Sequence, residues 1–529
     1  MDAKLASACL ASACDEVTLI AEMAEAQTIF ELIAHGADDA EAIAAPGRRP
    51  LTFGGLRQHV ADTIEALNRL GLGRSDRVAI VLPNGPEMAT AFVAVAAGAT
   101  AAPLNPAYRG REFEVSLADL DARALIVEAG ADSPAIGAAR ALGIPVITLK
   151  PRIGEAAGLF DLEGETTGTP TAGGLARAED VALALHTSGT SSRPKMVPLS
   201  HRNLCASARN IRETLRLTAA DRCLNVMPLY HVHGLMAAVI ASLSAGASVF
   251  CTPGFNAFQF LASLEGGAPT WYTAVPAMHQ AILARAERTP ESARRSGLRF
   301  IRSSSAPLPR KVMGGLEEVF GVPVIEAYAM TEATHQITSN SLPPGRREAG
   351  TVGIAAGPEV AIVDEAGRRV PPGVPGEVVI SGDNVIEAYA SDAESNAAAF
   401  IDGWLRTGDH GIMDAEGYLT ISGRLKEIIN CGGEKVSPLE VDEVLMDHPA
   451  VAQAATFAVP HDLLGEDVAA AIVLRESETA SAREIRDFAA ERLTRYKRPR
   501  SIVFVDEIPL SSTGKLQRNG LAEQLGHEL

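Results

Sequence analysis

The stretch Leu183-Ala184-Leu185-His186-Thr187-Ser188-Gly189-Thr190-Ser191-Ser192-Arg193-Pro194-Lys195 ends an apolar run with small hydroxyl residues, one glycine and two cations. The run 181–186 reads as a buried strand. A loop of this composition placed directly after it aims backbone N–H groups, hydroxyls and a lysine at phosphate oxygens. It is not a G-x-x-x-x-G-K-[ST] loop, a pattern this segment lacks. Taken alone, it reads equally as a Ser/Thr linker, so its surroundings decide. On its N-terminal side, β-type runs at 77–81, 124–127 and 145–149 alternate with helical stretches at 87–97 and 112–119, a pattern of βαβ units around a parallel sheet. The Gly/Thr/Pro-rich segment 164–174 reads as a solvated loop that punctuates this region without dividing it. On the C-terminal side, β-type runs at 360–364, 376–381 and 418–422 are separated by Pro and Gly turns and make a β-rich segment. Beyond Gly423 the pattern becomes helix 438–446, strands 451–459 and 468–473, helix 482–492 and strand 501–504, a compact α+β unit.

The expected fold class is therefore α/β: a large N-terminal domain, 1–424, of βαβ-type sheets flanked by helices plus a β-rich subdomain, and a small α+β C-terminal domain, 425–529. The boundary is placed near residues 424–426.

Composition bounds the partners. At 529 residues, with 47% apolar, 21% charged and 5% aromatic residues, the chain can bury a large core. Its 47 Lys plus Arg stand against 65 Asp plus Glu, a net charge of −18 that disfavours adhesion to nucleic acid or anionic membrane. A polyanionic ligand must be held by a local site. Cys9, Cys14, Cys205, Cys223, Cys251 and Cys431 are scattered, with no CxxC pair and no zinc spacing, which suits a reducing compartment. Asp15, Glu16 and Glu22 interrupt the small-residue N-terminus before any signal peptide or membrane span forms. The expectation is a cytoplasmic protein whose partners are small molecules, with neither nucleic acid nor membrane among them.

Segment 187–195 resembles the signature loop of the adenylate-forming acyl-CoA synthetases, which activate a carboxylate with ATP and then transfer the acyl group to coenzyme A. Five further blocks similar to that family follow in the family's order: Met227-Pro228-Leu229-Tyr230-His231, Tyr328-Ala329-Met330-Thr331-Glu332, Arg406-Thr407-Gly408-Asp409, Gly423-Arg424-Leu425-Lys426-Glu427 and Ser512-Thr513-Gly514-Lys515. The similarity runs from Leu51-Thr52-Phe53 to Lys515. Ser192, Met196 and Ala388 stand where the family commonly has glycine, and Met196 is expected to point away from the loop into the strand that follows.

Attack of one anion, a carboxylate, on another, the α-phosphate of ATP, needs a divalent metal and cations positioned beforehand. The resemblance implies who supplies them. Thr187, Ser188, Gly189, Thr190, Ser191 and Lys195 surround the phosphates, the Thr331 hydroxyl holds the α-phosphate, and Glu332 is the Mg²⁺ ligand. Tyr328 stacks on adenine opposite a wall of Ser305, Ala306 and Pro307, while Asp409 and Arg424 hold the ribose. Lys515 bridges carboxylate and α-phosphate. The small domain then turns about Lys426, removing Lys515 and laying Gly432 and Gly433 along the pantetheine arm of coenzyme A. Arg495, Lys497, Arg498 and Arg500 are either contacts to its phosphates or a solvated basic face. The expected catalytic set is Lys515, Thr331, Glu332 and His231, and the expected cofactors are ATP, Mg²⁺ and coenzyme A, without a tightly bound prosthetic group.

Three strings, Thr270-Trp271-Tyr272-Thr273-Ala274-Val275-Pro276-Ala277-Met278-His279-Gln280, Arg302-Ser303-Ser304-Ser305-Ala306 and Thr331-Glu332-Ala333-Thr334-His335, look like the oxalate-CoA ligase branch of the family. An acid with no apolar tail and two charges must meet hydrogen-bond donors or a cation at its far end. His231, Ser305 and His335 are the expected donors, with His233 and His279 as core or supporting residues. Two alternatives stay open: the same chemistry on malonate, a short fatty acid or an aryl acid, and a nucleotide-binding homologue without catalysis. Lys515, Glu332 and Asp409 speak against the second, and transfer of the acyl group to a carrier protein is a further alternative.

Overall fold

Arg77–Val81 is a five-residue β-branched run whose last four positions are buried, the signature of a strand covered on both faces. It lies at the centre of a seven-stranded sheet ordered Phe160–Glu163, Val146–Pro151, Ala124–Glu128, Arg77–Val81, Thr100–Pro103, Val181–His186, Met196–Ser200. The inner strands are parallel, and the two edge pairs are antiparallel. The computed structural model describes residues 25–166, 168–187, 195–390, 393–461, 463–509, 518 and 520–525.

A nine-stranded sheet runs Ile354–Ala355, Thr338–Ser339, Val324–Tyr328, Phe300–Ser303, Trp271–Ala274, Arg222–Asn225, Ser248–Cys251, Glu41–Ala44, Leu51–Thr52, parallel from Val324–Tyr328 to Glu41–Ala44. Between these two sheets lies the helix Pro86–Ala96. Proline at its first turn presets φ, and residues 88–96 are all buried, as expected of a helix apolar all round. A third, antiparallel sheet pairs Glu359–Val363, Gly376–Ser381, Trp404–Met413, Phe400–Ile401 and Leu419–Arg424. One continuous core joins all three: Ile80 and Ile126 from the first, Val249 and Cys251 from the second, Val378 and Leu405 from the third.

From Ile429 onward the chain builds a separate five-stranded sheet, with Ser501–Phe504 parallel to Gly465–Leu474 and the other pairs antiparallel. Its apolar residues form their own clusters around Val441, Leu445, Val468 and Ile485 and around Phe457 and Leu521. Gly432 and Gly433 form the two-residue turn of the hairpin Ile429–Cys431/Glu434–Val436. Both have positive φ, +62° and +94°, so the turn itself demands glycine. Met196 opens its strand opposite His186 and packs on the core around Ala79 and Ala184. The described cysteines, Cys205, Cys223, Cys251 and Cys431, are buried thiols, and burial pushes Cys205 and Cys251 up to about 12. Among the described residues no helix is long and apolar enough to cross a membrane.

Candidate active site

The C-terminal ends of the parallel strands of the nine-stranded sheet carry the blocks 227–231 and 328–332, and the third sheet brings Asp409 and Arg424 to them. Asn225 ends one strand, and the chain then passes through Met227-Pro228-Leu229-Tyr230-His231 into a π-helix, His233–Ile240, every residue of which is buried. His233 begins it. One ring nitrogen meets Ser305 Oγ at 3.0 Å and the other meets Thr273 Oγ1 at 2.6 Å, so this histidine ties together two neighbouring strands' ends. Its backbone N–H donates to His231 Nδ1 at 3.3 Å. The His335 ring stacks on the His233 ring with centroids 4.3 Å apart. His231, Ser305 and His335, expected as donors to the acid, thus form one cluster with His233, which sequence reading left in a supporting role.

Three residues of this region have backbone conformations that side-chain-bearing residues rarely adopt: Ser305 at φ +75°, Thr334 at +49° and His335 at +70°. Strain of roughly 1–3 kcal/mol per residue persists only where neighbours impose it. Here they do. Thr334 Oγ1 donates to the Asn384 carbonyl at 2.7 Å, and Asn384 Nδ2 donates to the Ala333 and Gln336 carbonyls at 2.7 and 2.6 Å.

Glu332, 7% exposed, sits in the 3₁₀ turn Thr331–Ala333. Its Oε1 accepts a hydrogen bond of 2.8 Å from the Tyr389 hydroxyl, and Lys195 Nζ lies 4.5 Å from the centre of the Tyr389 ring. One tyrosine therefore joins the Lys195 cation at the end of segment 187–195 to the carboxylate of the Thr-Glu block. Burial and the Glu332 charge hold its phenol far above the ordinary range. Sequence reasoning missed Tyr389, although it lies in the same segment as Ala388. Thr187 and Lys195 close the base of the loop: Thr187 N–H donates to the Lys195 carbonyl at 2.9 Å, and Lys195 N–H to Thr187 Oγ1 at 3.2 Å. Ser188, Gly189, Thr190, Ser191 and Ser192 lie outside the described residues, as does Lys515.

Tyr328 ends the strand Val324–Tyr328, and its hydroxyl donates to Asp409 Oδ2. Arg424 Nε pairs with Asp409 Oδ1 at 2.9 Å. Ala306 is half-buried and Pro307 exposed in the turn after Ser305. The remaining expectations lie C-terminal to Arg424. Lys426 is exposed in the turn between Leu419–Arg424 and Ile429–Cys431. Of the basic residues near 500, Lys497 Nζ pairs with both oxygens of Glu440 at 2.7 Å, Arg500 Nε pairs with Asp467 at 3.1 Å, and Arg498 Nε donates to the Leu493 carbonyl at 2.9 Å. Lys497 and Arg500 are thus paired with carboxylates, and Arg498 is held by a backbone carbonyl.

Residues 30–390 match the family model of the AMP-binding enzymes, and residues 440–515 match that of the AMP-binding enzyme C-terminal domain. The chain is an AMP-binding enzyme. It is 42% identical over 513 residues to an oxalate–CoA ligase of Arabidopsis thaliana, covering 94% of this chain and 97% of that one. An oxalate–CoA ligase of Saccharomyces cerevisiae is 39% identical over 475 residues, covering 85% and 87%. Among solved structures, ATP-bound MatB from Rhodopseudomonas palustris superposes with a TM-score of 0.85 at 29% identity, covering 94% of this chain and 99% of that one. As an AMP-binding enzyme the chain needs a pocket for a nucleotide, and the Glu332–Tyr389–Lys195 and Tyr328–Asp409–Arg424 groups are the charged constellations that flank the histidine cluster. Among the described residues no three His, Cys, Asp or Glu side chains gather into a metal cage. Glu332 fits a Mg²⁺ ion nonetheless, because this ion is usually held by one or two carboxylates together with substrate phosphates.

Proposed function

We propose that this enzyme converts oxalate, ATP and coenzyme A into oxalyl-CoA, AMP and pyrophosphate. The observation that carries the substrate is the cluster of His231, His233, Ser305 and His335, a set of polar groups tied to one another beside the Thr-Glu block. An aliphatic or aryl acid would set apolar surface against these polar groups, whereas a small dianion offers them hydrogen-bond acceptors at its far end. The relatives from Arabidopsis thaliana and Saccharomyces cerevisiae, both named oxalate–CoA ligase, support this reading.

In the first step an oxalate oxygen attacks the α-phosphorus and pyrophosphate leaves, giving oxalyl adenylate. Tyr328 stacks on the adenine against Ser305, Ala306 and Pro307. Asp409, with Arg424 beside it, accepts from the ribose hydroxyls in place of the Tyr328 phenol. Thr187, Ser188, Gly189, Thr190, Ser191 and Lys195 hold the phosphates, and Thr331 holds the α-phosphate. Mg²⁺, when bound at Glu332, neutralises phosphate charge. Lys515 offsets the charge that grows between carboxylate and phosphorus. His231, Ser305 and His335 hold the acid. In the second step the thiolate of coenzyme A adds to the oxalyl carbonyl and AMP leaves. Residues 425–529 turn against 1–424 about Lys426 between the steps, taking Lys515 out and bringing the hairpin of Gly432 and Gly433 to the pantetheine arm. The separate apolar clusters of the C-terminal unit support such a rigid turn.

Pyrophosphate exchange into ATP and CoA-dependent AMP release, measured with oxalate, malonate, hexanoate and coumarate, test the reading. Oxalate is expected to give the highest kcat/KM by at least tenfold. A higher value for any of the other three acids overturns the assignment.

A further inference from the structure

Behind the histidine cluster lies a cation that the steps above do not use. Arg302, on the strand Phe300–Ser303, is 1% exposed, among the largest fully buried side chains of the protein. All the groups that meet its guanidinium are neutral: Thr273 Oγ1 at 3.4 Å, His335 Nε2 at 3.4 Å and Gln336 Oε1 at 3.3 Å. Among the described residues no carboxylate pairs with it, whereas Arg299, three positions earlier and at the surface, has Asp221. Burial without an anion draws even this strongly basic group down to about 10. A buried cation lacking a counter-charge is destabilising, and an apolar side chain of similar volume would serve a strand better. Its presence calls for an anion that arrives from outside.

We propose that Arg302 is the positioning residue that makes the acyl pocket select a doubly charged acid. It supplies the countercharge for the far carboxylate and sets the direction of the hydrogen bonds that reach it. The inference rests on the dicarboxylate reading of the site.

The direction follows from donor inventory. A guanidinium has only donors, so Thr273 Oγ1 and His335 Nε2 both accept from Arg302. The one hydroxyl proton of buried Thr273, which meets no other acceptor among the described residues, turns to His233 Nε2, 2.6 Å away. That nitrogen is an acceptor, so the neutral His233 ring carries its hydrogen on Nδ1 and donates it to Ser305 Oγ at 3.0 Å. The proton of Ser305 is thereby released from the chain and serves as a donor to an anion. In His335, the lone pair facing Arg302 puts the hydrogen on Nδ1. Two chains thus start at Arg302 and end in a Ser305 O–H and a His335 Nδ1–H, two of the three groups expected to hold the acid. Both rings are neutral, so the single positive charge behind them is the arginine's.

The test uses the full-length enzyme and pyrophosphate exchange with two acids of one size, oxalate and glyoxylate, whose far ends differ by one charge. In Arg302→Met the ratio of kcat/KM for oxalate to that for glyoxylate is expected to fall on the order of 30-fold, the loss typical of removing one member of a buried charge pair. The loss is expected mainly in the KM for oxalate. Arg302→Lys is expected to restore part of the ratio. The melting temperature of the methionine variant without acid is expected to equal or exceed that of the wild type, which a purely architectural arginine would not allow. Should the methionine variant be insoluble, Thr273→Val breaks one chain and leaves the arginine in place, and the ratio is expected to fall there too. An unchanged ratio in the soluble variants, with oxalate still exchanged by the wild type, overturns the role of Arg302 alone. Absence of oxalate exchange in the wild type overturns it together with the proposed substrate.

Discussion

Glu332 owes its setting to a residue 57 positions further along the chain. The Tyr389 hydroxyl fixes Oε1 at 2.8 Å, and the face of the same ring carries Lys195 Nζ at 4.5 Å. Removing only the hydroxyl leaves the cation–π contact in place but frees the carboxylate to rotate. A hydrogen bond to a charged group is worth roughly 1.5–3 kcal/mol, and part of that is regained from water. Tyr389→Phe is therefore expected to lower kcat about tenfold and to raise the Mg²⁺ concentration needed for half-maximal rate. A Mg²⁺ titration of pyrophosphate exchange measures both, and an unshifted midpoint would separate Tyr389 from metal binding. Glu332, Asp409, Ser305 and His335 are expected site residues from the sequence because each stands inside a motif string that resembles the family. Tyr389, Thr273 and Arg302 were not read as site residues, because their roles consist of contacts between distant strands and loops. An arginine within a β-type run gives no sign of burial, and only the packing of the sheet shows that Arg302 lacks an anion.

The π-helix His233–Ile240 is the element that aims the histidines, and Gly234 is what allows it to approach the preceding loop. A Cβ on Gly234 would lie 2.5 Å from the Pro228 carbonyl oxygen and 3.1 Å from its carbon. Backbone atoms cannot yield as a flexible side chain does, so the helix or the 227–231 loop must move. Both routes displace the His231–His233 pair. Gly234→Ala is expected to lower kcat/KM for the acid at least ~10-fold, since misplacing reacting groups by about 1 Å costs on the order of 100-fold, while the far-ultraviolet circular dichroism stays native. Unaltered kinetics would show that this close approach does not position the histidines. The strands Arg77–Val81, Val181–His186, Gly376–Ser381 and Ser501–Phe504 and the helix Pro438–Met446 coincide with their sequence-based expectations. Their apolar runs or capping signals are bounded by turn residues. The strands Trp271–Ala274 and Phe300–Ser303 were quoted for their motifs and not assigned as strands. Each has four residues, all buried, and carries Thr273 or Arg302, so neither period nor polarity marks it. The π-helix escaped for the same reason, being apolar on every side. The hairpin of Gly432 and Gly433 was read for what glycines let approach, whereas its backbone needs them for the turn.

At the scale of the whole molecule, buried titratable groups pull stability in opposite directions with pH. Burial holds His59, His201 and His279 at about 4, so the folded protein keeps them neutral where the unfolded chain binds protons near 6.5. Their contribution is complete above that value and is lost as the pH falls towards 4. Glu326 works the other way. It is buried, its Oε1 accepts from the Leu308 N–H at 2.8 Å, and its Oε2 has no partner among the described residues. Burial raises its carboxyl to about 8, so the folded state holds a proton that the unfolded chain releases near 4.5. The stability it supplies is complete below the unfolded value and disappears as the pH climbs to 8. Between pH 6 and pH 8 that loss amounts to about 2 kcal/mol at 1.36 kcal/mol per unit. Glu326→Gln keeps an acceptor for Leu308 and cannot ionise, so it escapes the loss. The melting temperature of the variant, relative to the wild type, is expected to rise by a few degrees from pH 6 to pH 8. A difference that stays constant across this interval would mean that the carboxyl ionises in its ordinary range within the folded protein, and that the pocket between Leu308 and Asn340 admits a charge.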